Sequence, residues 1–179
     1  MRAIRQAVEQ GQNVIATSST CTYTLRDEYP TLFNIDNADV RPHIETATRY
    51  LYRLVEEGQV KLAFKRDYVM HVGYHTPCHM QRMGWQLYSI ELLRMIPGLD
   101  LQVLEQECCG ISGTYGFKKE NYEASQQIGK PLFDQIARVA PDFVACDCET
   151  CKWQIEMSTG FPVANPISIL AEALDTNTT

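Results

Sequence analysis

Long apolar runs are missing from this chain. Charge interrupts its most apolar stretches within about ten residues, and a membrane-crossing helix needs roughly twenty apolar residues in a row. Basic residues are also scarce. Sixteen lysines and arginines against 22 aspartates and glutamates leave a net charge of −6. That argues against a nucleic-acid binder, which needs basic surface to displace phosphate counterions. No block of like charge is long enough to serve as an interaction tail. Met1-Arg2-Ala3-Ile4-Arg5 carries charge with no apolar core behind it, so no secretory signal is read there. The expectation is a cytoplasmic chain without a transmembrane segment, peripheral at the inner face of the membrane through a docked partner.

What the chain does have is cysteine: seven in 179 residues. A disulfide scaffold suits small secreted chains that cannot build a core, whereas 45% hydrophobic residues fill an ordinary one. With no export signal, thiolates on a metal are the better reading.

Short apolar segments alternate with helical periodicity. Residues 13–19, 68–74, 101–104, 142–145 and, more weakly, 161–164 read as strands. Between them lie helical patterns over 41–57, 80–96, 119–139 (broken), 149–157 and 167–174. Pro97-Gly98 stops the second pattern, and Pro131 suits the first turn of the helix that runs to Val139. Strands alternating with helices predict βαβ units: an α/β fold with a mostly parallel sheet and flanking helices. An internal echo is also present. Residues 13–25 can be laid over 143–155, so that Val14 meets Val144, Ser18 meets Cys148, Thr20 meets Thr150 and Cys21 meets Cys151. Taken at face value, one complete repeat (61–179) follows the tail of a preceding one and a connecting helix (1–60). The chain is then expected to begin inside a longer protein.

Cys78, the pair Cys108-Cys109 and the Cys148-Glu-Thr-Cys151 turn each follow a predicted strand. In a parallel sheet those strand ends share one edge, where ligands bind in open α/β folds. Twenty-nine residues separate Cys78 from Cys108 and 38 separate Cys109 from Cys148, each enough for one crossover helix. Adjacent cysteines reach one centre only if it is larger than a single ion, and Gly110 permits the positive φ or close backbone approach that this requires. Four-iron clusters are usually held by thiolates. Zinc remains the alternative, with one cysteine to spare.

The pattern Cys…Cys-Cys-Gly…Cys-x-x-Cys resembles that of the cysteine-rich, or CCG, domain family, found in the B subunit of heterodisulfide reductase and in glycolate and lactate oxidase iron–sulfur subunits. Longer words, Tyr74-His-Thr-Pro-Cys-His-Met80, Cys108-Cys-Gly-Ile-Ser-Gly-Thr-Tyr-Gly-Phe117, Asp147-Cys-Glu-Thr-Cys-Lys-Trp153 and Thr17-Ser-Ser-Thr-Cys-Thr-Tyr-Thr-Leu25, are similar to those of the C subunits of anaerobic glycerol-3-phosphate dehydrogenases. The resemblance implies a non-catalytic electron-transfer subunit of anaerobic respiration on glycerol. It would carry electrons from a flavoprotein dehydrogenase subunit towards membrane quinone through a membrane-anchoring or quinone-reducing partner. It also implies a four-iron cluster, noncubane in the heterodisulfide reductase B subunit, on Cys78, Cys108, Cys109, Cys148 and Cys151. Ser18 stands where the first cysteine of the earlier repeat's pair would be, which counts against a cluster at Cys21.

Other assignments follow from the residues. Cys146, at the end of a strand, is expected to pack and point away from the five. His75 and His79 are candidates to border the cofactor as hydrogen-bond donors to sulfur, rather than as ligands. Trp85, Tyr115, Phe117 and Trp153 are read first as core and second as the border of a quinone or partner surface. Two rivals remain: a cluster-based disulfide or thiol reductase, favoured by a substrate-sized pocket beside Cys109, and a zinc-stabilised docking module.

Overall fold

The computed structural model describes residues 1–176. Four strands form an all-parallel sheet: β3 (Met70–His75), β4 (Leu99–Val103), β5 (Phe143–Cys146) and β6 (Val163–Ala164), ordered β4-β3-β5-β6. Upstream, β1 (Val14–Ala16) and β2 (Ile44–Thr46) make a separate two-stranded parallel ribbon. The helices are α1 (Arg2–Glu9), α2 (Ser19–Tyr23), α3 (Tyr29–Leu32), α4 (Ala47–Glu56), α5 (Cys78–Met83), α6 (Gln86–Arg94), α7 (Tyr122–Val139), α8 (Glu149–Thr159) and α9 (Pro166–Ala173).

Both faces of the larger sheet are covered, as a parallel sheet requires. Side chains alternate along each strand, and the burial follows. Val144 and Cys146 of β5 join Leu132, Ile136 and Ile155 of α7 and α8 on one face. Ala145, with Val72 and Tyr74 of β3, joins Leu92 and Leu93 of α6 and Ile169 and Leu170 of α9 on the other. Residues 1–60 pack on this body through α2 against α5 and α4 against α6. Glu45, 4% exposed, is offset by Arg49 and Arg53 at 2.9 Å each, as a buried charge must be.

The strands expected near 68–74, 101–104 and 142–145 are present and parallel to their neighbours. Three expectations need correction. The helix read over 41–57 is instead a short turn, the strand β2 and a helix that starts only at Ala47; Ile44-Glu45-Thr46 pairs with Val14-Ile15-Ala16. The helix over 80–96 is two helices, because the chain turns at Gly84 with φ +70°. Pro131 does not open a helix but sits inside the 18-residue α7. The helix survives although the carbonyl of Gln127 loses its i+4 donor there.

Candidate metal centre

The three cysteine groups do meet at the C-terminal edge of the sheet. Cys78 opens α5 just beyond β3, Cys108 and Cys109 follow β4, and Cys148 caps the N-terminus of α8, with Cys151 in its first turn. All five line one cavity of about 110 Å³, and Thr20, His79 and Thr150 are among the other residues of its wall. A single water occupies about 30 Å³, so this space takes a group of several heavy atoms.

The five thiols lie close enough to shift one another's ionisation. The Cys109 and Cys151 sulfurs are 3.1 Å apart, and all seven cysteines are free thiols. The five differ in charge preference. Cys108 is held well below the usual thiol range by the neighbouring Cys109 and Cys78 thiols, and Cys148 is lowered to about 5 by its closeness to Cys151 and its hydrogen bonding with Thr150 and Thr20. Cys78 and Cys109 are pushed up by the neighbouring Cys108 sulfur, and further by burial. Cys151 accepts from Cys109, which pulls it down, yet the neighbouring Cys146 and Cys148 sulfurs and burial hold it well above the ordinary value. Free cysteines packed this closely without a disulfide fit a site whose thiol protons leave when metal enters.

The Cys-Cys-Gly loop is built for close approach. Gly110 takes φ +85°, and a Cβ there would collide with the Ser125 carbonyl oxygen. Its N–H donates to Cys108 Sγ at 3.3 Å. A Cβ on Gly129 would press against the Cys109 carbonyl oxygen, so a side-chain-free position lets α7 pack directly on the loop. Ser125 Oγ donates to the Gly110 carbonyl at 2.9 Å and accepts from buried Gln154 at 2.9 Å, joining α7, the loop and α8.

Known proteins match the sequence that builds this site. The profile of the cysteine-rich domain, CCG, matches residues 72–156. The C subunit of anaerobic glycerol-3-phosphate dehydrogenase from Escherichia coli K12 is 59% identical over 97% of this chain, which spans 44% of that protein. Lactate utilization protein A of Geobacillus thermodenitrificans is 30% identical over 98% of the chain, which covers 74% of it. The chain belongs to the cysteine-rich CCG domain family. The B subunit of fumarate reductase (CoM/CoB) from Methanothermobacter marburgensis is 28% identical over 86% of the chain and 29% of its own length.

Within this CCG domain the two histidines beside Cys78 have different settings. His79 Nδ1 lies 3.1 Å from the Thr20 hydroxyl, and its ring stacks on Tyr23 with centroids 4.7 Å apart. His75 is fully buried, and burial lowers its pKa to about 4. Cys146 does not point away, contrary to expectation. A ring nitrogen of His75 and the sulfurs of Cys146 and Cys151 lie within 4.8 Å of one another. The reason is register: His75 pairs with Cys146 on adjacent parallel strands, so both side chains leave the same face beside α8.

The aromatic residues also depart from the core reading. Tyr115, Phe117 and Trp153 are 45%, 49% and 54% exposed, and Trp85 is held between the Arg26 and Arg49 guanidinium groups at 4.6 and 4.5 Å. Sequence reasoning missed Asp147, Thr20, Ser125 and Gln154. Asp147 is buried and accepts from Tyr74 at 2.7 Å, Ser89 at 2.9 Å and Thr48 at 3.5 Å. Burial raises its pKa to about 6. Its carbonyl also accepts from Ser19 N–H at 2.8 Å, tying residues 1–60 to the site loop. A carboxylate between two cysteines, Cys146-Asp147-Cys148, was the available signal.

Proposed function

We propose that this chain is an electron-carrying part of a dehydrogenase complex, with Cys78, Cys108, Cys109, Cys148 and Cys151 holding a four-iron cluster. The observation that carries this reading is the convergence of those five thiols on one cavity. Identity of 59% to the C subunit of an anaerobic glycerol-3-phosphate dehydrogenase supports the substrate context. A bound cluster supplies storage of one electron at a potential set by its ligands, burial and hydrogen bonds to sulfur. The protein's part is to hold five sulfurs at a fixed edge and to exclude water from Cys109, Cys148 and Cys151, each under 5% exposed. It also presents Cys78 and Cys108 at the surface, the side from which an electron partner reaches the site.

The proposed partners are a flavoprotein glycerol-3-phosphate dehydrogenase subunit on one side and a membrane-anchoring or quinone-reducing component on the other. The chain would then sit peripherally at the cytoplasmic face; among the described residues no helix is long and apolar enough to cross a membrane. Residues 1–60 are proposed as the tail of a first CCG repeat and 61–179 as the complete one. A cavity beside Cys108 and Cys109, lined also by Gln81, Gln106 and Glu107, measures about 200 Å³. That is below the roughly 300–1,000 Å³ of small-molecule sites, so electron relay is favoured over a disulfide or thiol reductase. Zinc is the second reading, favoured by the grouping of His75, Cys146 and Cys151. Anaerobic purification followed by iron, sulfide and zinc quantification separates the two. Iron with sulfide, reduced on adding glycerol 3-phosphate and the flavoprotein partner, is the expected result. Zinc without sulfide overturns it.

A further inference from the structure

His75 ends β3 with 2% of its surface exposed, and neither ring nitrogen has a hydrogen-bond partner among the described residues. A neutral imidazole carries one N–H donor and one acceptor nitrogen. Leaving a buried polar group unmade costs about 1–3 kcal/mol, so an orphaned imidazole in a dry interior marks a partner that the protein itself does not supply. Sulfur atoms are among the neighbours of this ring. It lies within 4.8 Å of the Cys146 and Cys151 thiols and shares a cavity wall with Cys78, Cys108 and Cys109. His79, four residues on in α5, is different: the Thr20 hydroxyl and the Tyr23 ring already engage it.

We propose that His75 is a positioning residue whose ring N–H donates a hydrogen bond to sulfur of the iron–sulfur centre, taking the cluster reading above as given, and that this bond sets the centre's reduction potential. Five thiols already serve as ligands, so the imidazole is not needed on iron. An electron added to the centre increases negative charge on sulfur, and a donor aimed at that sulfur stabilises the reduced form more than the oxidised one. Removing the donor therefore lowers the potential. His79 has no comparable leverage, because the protein already partners it.

The test uses the whole protein, purified anaerobically, with iron content and an EPR-monitored redox titration for each variant. His75→Leu is expected to shift the one-electron equilibrium about tenfold towards the oxidised form, about 59 mV lower. His75→Gln, which keeps an N–H donor, should recover part of the shift, and His43→Gln, exposed in a turn outside the cysteine cavity, should leave the potential unchanged. Pulsed EPR of the unmutated protein with ¹⁵N-labelled histidine covers the case in which His75→Leu fails to fold. It should show one weak nitrogen coupling that is retained in His79→Gln. Iron at wild-type level with an unmoved potential in His75→Leu overturns the proposal alone. So does an unmutated spectrum with no nitrogen coupling, or with the strong coupling of a direct iron–nitrogen bond. Absence of iron and sulfide from the unmutated protein overturns the cluster reading together with it.

Discussion

At residues 13–25 and again at 143–155 a short parallel strand runs through an extended residue into a helix. The capping positions have like conformations: Ser18 at φ −103°, ψ 129° and Cys148 at φ −135°, ψ 116°. Beyond the backbone the two copies part. Cys21 is exposed, whereas its counterpart Cys151 is 3% exposed and touches Cys109. Only the second copy faces a Cys-Cys-Gly loop and the strand that delivers His75 and Cys78. The first copy instead serves the second. Thr20 and its counterpart Thr150 each place a hydroxyl 3.3 Å from Cys148 Sγ. A strand–turn–helix thus provides a platform for thiolates, and what the rest of the fold brings to that platform decides its chemistry.

The comparison can be broken most severely by making the second copy resemble the first. Cys148→Ser reproduces Ser18 at the metal site. It removes a thiolate rather than an outer partner, so retained iron should fall by more than the 10–100-fold typical of outer-partner loss; anaerobic iron and sulfide assays read this.

Loading should also depend on pH, in one direction. Cys78, Cys109 and Cys151 are held above the ordinary thiol value, so their protons must leave as metal binds. Loading therefore weakens as pH falls, by about tenfold per pH unit for each proton released. Iron retained against a chelator between pH 8 and 6 measures the slope, and a flat profile contradicts the thiol assignments.

A smaller effect sharpens the symmetry. Thr20→Val and Thr150→Val should each weaken iron retention by about tenfold, to a similar degree, because each removes one hydroxyl from the same sulfur. A loss confined to Thr150→Val shows that the first copy contributes nothing. The smallest effect is expected from Ser18→Cys. It restores a Cys-x-x-Cys pair with Cys21 but no facing loop, so iron per chain should not rise.

Much of the larger sheet was legible because its strands are apolar runs bounded by breakers, as at 68–74 and 142–145. β2 was not: Ile44-Glu45-Thr46 is three residues long, its Glu45 is hidden by two arginines, and it runs directly into a helix. Pro131 misled because a helix packed on both the cysteine loop and α8 outweighs one missing hydrogen bond. The cysteines could be grouped from spacing because strand ends in a parallel sheet share an edge. The polar residues that set the site could not be. Asp147, Ser125 and Gln154 find partners distant in sequence, and the difference between His75 and His79 is a matter of strand register and of Thr20, 59 residues away from His79.

The convergence of five thiols on one metal centre is tested most directly by iron and sulfide content in three forms of the anaerobically purified protein. The account predicts iron with sulfide at this centre in the unmutated form, its loss in Cys109→Ser and its retention in Cys21→Ser. Equal iron in all three forms, or zinc without sulfide in the first, would contradict it.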